Sequence, residues 1–227
     1  MINNTIPVIT IDGPSGAGKG TITLKLAQYL DWHTLDSGAI YRVLALAAQN
    51  ADCPLDDESQ LVDLSQHLEV EFLPNTDLSG IDVILQGQLV SQALRTETCG
   101  NAASKLATIP AVRQALLERQ RNFRQDPGLV ADGRDMGTVV FPDATAKLFL
   151  TASAEERAQR RYKQLKAQRI DAKLSNLINE IEERDQRDRT RSVAPLIAAN
   201  DAMTIDTTNI SIEAVMAQVL NYLADKL

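Results

Sequence analysis

Short apolar runs alternate with longer amphipathic stretches along most of the chain. The run "VITID" at residues 8–12 is rich in β-branched residues and ends in turn residues, which predicts a buried strand. Similar runs predict further strands near 32–35 and at 128–132, 146–150 and 202–206. Helical spacing predicts helices over 21–30, 37–50, 58–68, 97–124 with a break at Pro110, 154–168, 173–191 and 210–226. Strands that alternate with helices indicate an α/β fold, a parallel sheet covered by helices on both faces.

The stretch from Leu68 to Val90 has a different pattern. "LEVEFL", the turn-rich "PNTDLSG" and "IDVILQGQLV" alternate and turn in the manner of a small antiparallel hairpin set. We therefore expect a small antiparallel β insert that lies off the parallel sheet. No internal repeat or low-complexity linker divides the chain, so we expect its subdivisions to be lobes of one body.

Composition and charge narrow the class of protein. The chain has 227 residues and a formal net charge of −7, which disfavours general affinity for nucleic acid. Residues 157–191 nevertheless carry eleven Lys and Arg against six Asp and Glu, a local +5 that leaves −12 for the rest. A basic segment on an acidic protein indicates a local anion site.

The sequence shows no targeting signal and no metal-binding motif. No apolar run approaches the roughly 18 residues of a membrane span, and no export signal begins the sequence, so we expect a cytoplasmic protein. Cys53 and Cys99 have no paired spacing, and with two histidines they cannot complete a zinc set. Both are expected to be buried or bystander thiols in a reducing compartment.

A glycine-rich loop follows the first predicted strand and opens the first predicted helix. "GPSGAGKGT" places glycines at 13, 16, 18 and 20, which let backbone N–H groups turn toward a central anion. Lys19 adds a charge where β- and γ-phosphates would lie, and the helix points its positive end there. The alternative is a glycine-rich turn with a stray lysine. The strand–loop–helix context favours a nucleoside triphosphate site.

The hydroxyl of the usual phosphate-loop pattern arrives one position late, at Thr21. Gly20 follows the lysine directly, so no side chain stands where such loops usually ligate magnesium. We expect Mg²⁺ to be held by phosphate oxygens and water and by no direct side-chain ligand. The form "GAGKGT" resembles the loop of nucleoside monophosphate kinases and indicates phosphoryl transfer to a small acceptor.

Three arginine-bearing stretches are candidates for a second anion site. "LDSGAIYR" carries Ser37 and Arg42, either as a site or as a structural helix that Ser37 caps. "LVADGRDMGTVVFPDA" has Asp132 at the end of a strand, where phosphate-loop proteins orient Mg²⁺ through water, followed by Arg134 and Asp135. The alternative for this stretch is a simple polar turn.

The third stretch, "EIEERDQRDRTR", repeats arginine at helical spacing. Arg184, Arg187 and Arg191 share one helix face with Asp188 beside them. A solvated, salt-bridged helix is the alternative, but guanidinium groups on one face suit a transferring phosphoryl group. "EERAQRRYKQLKAQR" offers Arg157, Arg160, Arg161 and Lys163 in the same style.

Taken together, these motifs and "NAAS" resemble bacterial cytidylate kinases, in order and along nearly the whole chain. The resemblance implies a phosphate-loop core (1–36, 106–156 and 192–227), a monophosphate-binding lobe (37–105) that carries the β insert at about 68–90, and a lid region (157–191). It implies transfer of the γ-phosphoryl group of ATP to CMP or dCMP, with Mg²⁺, by a monomer.

The resemblance also assigns residues. Apart from the resemblance, the loop motif and the basic stretch after it predict the ATP-binding residues, namely Gly13, Pro14, Ser15, Gly16, Ala17, Gly18, Lys19, Gly20, Thr21, Arg157 and Arg161. For CMP, the resemblance implies Ser37, Arg42 and Arg134 near the monophosphate, Ser104, Arg113 and Asp135 around the cytosine, and Arg184, Asp188 and Arg191 at the ribose and phosphates. The expected catalytic groups are Lys19, Asp132, Arg134, Arg184 and Arg191.

Other classes remain as alternatives. The nearest is a kinase for another monophosphate or for a small metabolite such as shikimate. A GTPase switch would need an N-K-x-D motif, and no Asn-Lys pair occurs in the sequence. An ATPase that acts on nucleic acid is disfavoured by the charge and by the absence of an acidic pair after any predicted strand.

Overall fold

The structure is a computed structural model that describes residues 6–74, 81–167 and 169–227. Its strands are β1 Val8–Asp12, β2 His33–Asp36, β3 Val70–Pro74, β4 Ile81–Leu85, β5 Gln88–Leu89, β6 Leu129–Gly133, β7 Ala146–Thr151 and β8 Met203–Asp206. Its α-helices are α1 Lys19–Leu30, α2 Ser37–Asn50, α3 Glu58–Gln66, α4 Ser91–Leu94, α5 Glu97–Leu106, α6 Pro110–Arg121, α7 Ala154–Ala167, α8 Leu174–Thr190 and α9 Ile212–Leu223, and Met136–Val140 form a π-helical turn.

A five-stranded parallel sheet in the order β2-β6-β1-β7-β8 forms the centre of the fold. Every residue of β1 is buried, as its continuous apolar run predicts. Ile9 and Ile11 pack in one core with Leu26 of α1 and Val219 of α9. The α/β fold expected from the sequence is confirmed. Because β6 and β7 lie on opposite sides of β1, the carboxyl end of β1 is where ligands of such sheets bind.

The expected antiparallel insert is a three-stranded sheet in the order β3-β4-β5. Val70 pairs with Leu85, and Ile84 pairs with Leu89. Alternate side chains such as Val83 and Leu85 share a core with α2, which fixes the face that the sheet buries. The turn predicted at "PNTDLSG" falls mainly on residues 75–80 and lies outside the described residues.

The chain divides into two compact units by its internal contacts. The first comprises Met1–Leu35 and Arg121–Leu227, and the second comprises Asp36–Gln120. Helices α7 and α8 belong to the first unit and pack on each other through Ala158, Leu165 and Leu177. The finer division into core, monophosphate-binding lobe and lid stays a prediction.

Two of the local details that differ from the sequence prediction lie near the predicted site residues. The N-cap of α2 is Asp36, whose carboxylate accepts a hydrogen bond from Ala39 N at 3.0 Å, and the expected cap by Ser37 is wrong. The π-helical turn after Asp135 was not predicted, since such turns have no period of their own in the sequence. Among the described residues, no helix is both long and apolar enough to cross a membrane.

Candidate functional site

The loop between β1 and α1 depends on glycine at three positions. Gly13, Gly16 and Gly18 have φ of +146°, +80° and +93°, values that side chains rarely adopt. At Gly13 a Cβ atom would also lie 2.0 Å from the carbonyl oxygen of Leu150 in β7. These glycines let the chain reverse close against the sheet and enter α1 through Gly18 as its N-cap.

Four consecutive carbonyl groups of this loop accept hydrogen bonds from side chains. They are Pro14 from Lys19 Nζ at 2.9 Å, Ser15 from Arg157 Nη1 at 3.1 Å, Gly16 from Arg160 Nη1 at 3.5 Å and Ala17 from Thr207 Oγ1 at 3.1 Å. In a trans peptide the N–H points away from the C=O, so each held carbonyl fixes the direction of the N–H that follows it in the chain. Loop amides fixed in this way can donate together to one phosphate group.

Gly20 differs from the other loop glycines. Its φ is not in the left-handed region, and a Cβ atom there would meet nothing within 4 Å. Neither the backbone nor the neighbouring residues of the chain therefore require glycine at this position. The hydroxyl-bearing Thr21 is exposed on the first turn of α1.

Asp12, the last residue of β1, connects the loop to the segment after β6. Its two carboxylate oxygens accept hydrogen bonds from Met136 N and Gly137 N, each at 2.8 Å. Asp12 is 4% exposed, and this burial raises the pKa of its carboxyl to about 6. The two backbone hydrogen bonds and Lys19 oppose the rise in pKa, whereas the negative charge of Asp135 adds to it.

Two arginine–carboxylate pairs lie in the same unit. Arg134 donates through Nε to Asp188 at 2.8 Å, and Arg191 Nη2 lies 3.6 Å from Asp135 Oδ1. Asp135, Asp188 and Arg191 are all buried. Burial favours the neutral form of Asp188, but Arg134, Arg184 and Arg191 together hold its pKa below the ordinary value. Arg191 also donates through Nε to the carbonyl of Ala194, just beyond α8.

The structure brings most of the predicted groups of this unit to the carboxyl edge of the sheet. Asp132 is buried in β6, where it pairs in register with Ile11, one residue before Asp12. Arg157, expected at ATP, is 3% exposed and donates to Asp185 and to the loop carbonyl of Ser15. The assignments of Arg157, Arg161 and Arg184 to bound nucleotide stay predictions.

In the second unit, Arg42 is held at the packing of α2 on α5. Its Nη1 donates to Leu94 O at 2.6 Å and to Thr96 O at 3.3 Å. A Cβ atom at Gly100 would lie 2.9 to 3.2 Å from the guanidinium atoms, so this glycine makes room for Arg42. The Ser37 hydroxyl, which was expected to cap α2, donates instead to Gln120 at 2.8 Å.

Two further predicted residues of this unit are buried. Ser104 lies on α5 and is 5% exposed, and Arg113 lies on α6 and is 8% exposed. Arg113 donates to Ala107 O at 3.2 Å, and its guanidinium carbon lies 6.0 Å from the ring centroid of Tyr41. The contacts expected for Ser37, Arg42, Ser104 and Arg113 with CMP stay predictions.

Sequence reasoning did not find several residues that shape this site. They are Asp12, Gly100, Asp185 and Thr207. Only Asp12 had a usable signal, because the end of a mostly apolar strand, directly before a phosphate loop, is an unusual place for a charge. The others act through residues distant in sequence.

A glycine-rich loop between β1 and α1, with fastened carbonyls and a lysine at its helix end, defines a phosphate-loop nucleotide-binding protein. The family profile described as cytidylate kinase matches residues 9–225. The cytidylate kinases of Shewanella frigidimarina and Aeromonas salmonicida are each 60% identical over 221 residues, covering 97% of this chain and 96% and 95% of their own. The chain belongs to the cytidylate kinase family, whose activity is phosphorylation of CMP or dCMP by ATP.

Among solved structures, an uncharacterized protein from Eubacterium ventriosum matches with a TM-score of 0.52 and 13% identity. The match covers 97% of this chain and 99% of that one. At this identity the likeness concerns the fold alone.

The raised pKa of Asp12 predicts a pH-dependent stability difference. Since the folded pKa exceeds the unfolded value of 3.8, the native state binds more protons between pH 4 and 6 and loses stability as pH rises through this window. Relative to Asp12→Asn, the wild type should lose about 2 kcal/mol of unfolding free energy between pH 4 and pH 7. Urea unfolding of both proteins at pH 4 and pH 7 measures this loss. If the wild type and the variant differed in unfolding free energy by the same amount at both pH values, the buried environment described for Asp12 would be contradicted.

The two kinds of loop glycine predict opposite effects of alanine. Gly20→Ala should raise the free energy of unfolding by about 0.5 to 1 kcal/mol, because it improves a helix at an open position. Gly13→Ala should lower it by about 3 kcal/mol, since the new Cβ meets the Leu150 carbonyl. Thermal or urea unfolding of both variants checks this, and equal effects would contradict the loop geometry.

Proposed function

We propose that the chain transfers the γ-phosphoryl group of ATP to CMP or dCMP directly and in line, without a covalent enzyme intermediate. The observation that carries this proposal is the Asp12 carboxylate, which holds the segment after Asp135 at the end of β1, directly before the phosphate loop. These hydrogen bonds hold the phosphate loop beside the segment that carries Arg134 and Asp135, within one unit of the chain. A phosphate acceptor is already anionic, so the reaction needs positioning and charge neutralisation more than a strong base.

The phosphate loop is the proposed ATP site. The amides of residues 16–18 would donate to phosphate oxygens, because the carbonyl groups that precede them are held by Arg157, Arg160 and Thr207. Lys19 is 6% exposed and donates to Pro14 O at 2.9 Å, which fixes its ammonium group at the loop. We propose that Lys19 neutralises the charge that develops between the β- and γ-phosphates.

Mg²⁺ is the proposed cofactor. When bound, it would neutralise charge on the β- and γ-phosphate oxygens. Asp132 would orient it through water, and Gly20 leaves open space where many phosphate loops have a hydroxyl. The buried carboxylate of Asp132 at the end of a strand beside β1 supports this assignment.

Arginines are proposed to bind the acceptor and the transferring group. Arg134 and Arg191 are each paired with a buried carboxylate, which orients a guanidinium group without using all of its five donors. We propose that Arg134 and Arg42 bind the acceptor monophosphate with Ser37, and that Arg184 and Arg191 neutralise the transferring group. Asp188 would contact the ribose.

The base is proposed to be read by a carboxylate and a guanidinium. Cytosine presents an N4 amino donor beside two acceptors, so Asp135 and Arg113 are complementary to that edge, and Ser104 adds a hydroxyl. Uracil has an oxygen acceptor in place of the amino group, so the Asp135 carboxylate would face a second acceptor with no hydrogen between them. Asp135 is 4% exposed, which strengthens this discrimination, since water cannot readily solvate a buried carboxylate oxygen that faces an acceptor.

The remaining assignments follow from the reaction. Its substrates are ATP and CMP or dCMP, which belong to pyrimidine nucleotide metabolism and support a cytoplasmic location. We expect a monomer, without a nucleic acid or membrane partner. The alternative acceptor is a different monophosphate or a small metabolite. The acceptor assay described next distinguishes these acceptors from CMP and dCMP.

The base-reading proposal predicts the acceptor profile. With Mg·ATP, ADP release should be strong with CMP and dCMP, and weak with UMP, AMP, GMP or no acceptor. Asp135→Ala should lower kcat/KM for CMP by on the order of 10²-fold or more and lower it far less for UMP, because only cytosine offers the amino group. Asp143, an exposed carboxylate that pairs with Arg124, supplies the matched control Asp143→Ala. Equal losses with CMP and UMP would remove Asp135 from the base site.

The role of Arg191 predicts a separation of kinetic parameters. Arg191→Ala should lower kcat by on the order of 10²-fold while changing KM for CMP much less, because the lost charge acts on the transition state. Arg189→Ala, an exposed position two residues earlier, is the control and should keep wild-type kinetics. Steady-state assays on folded enzyme measure both parameters, and an unchanged kcat would exclude Arg191 from the transfer step.

A further inference from the structure

Asp185 is a buried carboxylate on α8 that none of the roles above uses. It is 7% exposed, whereas its neighbour in sequence Gln186 is exposed. Its two oxygens pair with both terminal nitrogens of Arg157, at 3.0 Å from Nη1 and 2.6 Å from Nη2. This is the bidentate arrangement in which a carboxylate fixes the plane of a guanidinium group.

The same guanidinium group contacts two other segments. Arg157 donates through Nε to Ala152 O, just beyond the end of β7, at 3.0 Å. It donates through Nη1 to the loop carbonyl of Ser15 at 3.1 Å. At Gly16 a Cβ atom would lie 3.2 Å from the Cβ of Arg157, so the loop passes close to the stem of this side chain. One buried side chain therefore joins β7, the phosphate loop and α8.

We propose that Asp185 is a positioning residue for ATP binding, which acts on the phosphate loop through Arg157. The carboxylate holds the guanidinium plane in the orientation that lets Nη1 reach the Ser15 carbonyl. That hydrogen bond keeps the Ser15–Gly16 peptide turned so that its N–H faces the phosphates. Asp185 also stands between Arg184 and Asp188 on α8, so the same contact ties the loop to the helix that carries them.

Loss of the Asp185 carboxylate should alter the phosphate loop because Arg157, its partner, is a buried charge. Arg157 is 3% exposed, so its positively charged guanidinium group is largely removed from water. Without the Asp185 carboxylate this buried charge lacks its counter-ion, so the side chain is driven to rotate toward solvent. The Ser15 carbonyl would then lose its donor, and the loop its fixed peptide orientation.

Two other possible roles of the Arg157–Asp185 pair predict different results for its variants. If Arg157 bound ATP directly, loss of Asp185 would leave the guanidinium present and ATP affinity nearly unchanged. If the pair served stability alone, replacing both charges by apolar side chains of similar size would restore both stability and kinetics.

The experiment compares Asp185→Asn with Glu183→Gln on the same helix. Glu183 makes an exposed pair with Arg187 at 4.0 Å and supplies a matched loss of one carboxylate. Steady-state kinetics on folded enzyme should give about a tenfold or larger rise in KM for ATP in Asp185→Asn, a smaller change in KM for CMP, and wild-type values in Glu183→Gln. A wild-type KM for ATP in Asp185→Asn overturns the proposal.

The double variant Arg157→Met with Asp185→Leu separates the positioning role from a purely structural role of the pair, also where Asp185→Asn does not fold. It removes both buried charges, so it should keep its melting temperature near the wild-type value. The proposal predicts that its KM for ATP stays about tenfold raised, because the Ser15 carbonyl still has no donor. A KM for ATP restored to the wild-type value would overturn the proposal and leave the pair with a structural role.

Discussion

The site depends on one constraint, the hydrogen bonds by which side chains hold the carbonyl groups of the phosphate loop. Four consecutive peptides are each held by a side chain, from Lys19, Arg157, Arg160 and Thr207. A glycine-rich segment has many accessible conformations, and ordering it costs more backbone entropy than ordering other residues. Side chains that hold the loop before nucleotide arrives reduce the ordering that binding must supply.

The loop is also the point from which the other charged groups of its unit are positioned. Asp12 binds the amides of Met136 and Gly137 and so fixes the segment that carries Arg134 and Asp135. Arg157 and Asp185 connect the loop to α8, where Asp188 pairs with Arg134. Buried ion pairs of this kind add little net stability, but they fix geometry, which is what phosphoryl transfer requires.

The sequence predicted the fold well because the relevant signals are local. The apolar run at Val8–Asp12, the glycines of the loop and the helical spacing of α1 are each readable within a dozen residues. The chemistry of the site was predicted from the loop motif and from family resemblance. What escaped prediction is non-local, since Thr207 reaches a carbonyl 190 residues earlier and Arg157 one 142 residues earlier. No periodicity encodes such pairings.

The wrong prediction of the α2 cap also arises from contacts between residues that are distant in sequence. Ser37 was expected to cap α2, but Asp36 is equally suited to that position, and its carboxylate accepts the hydrogen bond from Ala39. The hydroxyl of Ser37 is then available to Gln120, 83 residues away. Where two neighbouring residues can both cap a helix, tertiary contacts decide between them, and the sequence does not show those contacts.

The central claim is that the loop amides are directed at the phosphates of the nucleotide. The most direct measurement is the change in backbone ¹H and ¹⁵N chemical shifts of residues 13–20 as Mg·ATP is added. We predict large downfield amide proton shifts at Gly16 and Gly18, as expected when their N–H groups donate to phosphate oxygens. Shifts confined to other parts of the chain, with the loop amides unmoved, would contradict the account.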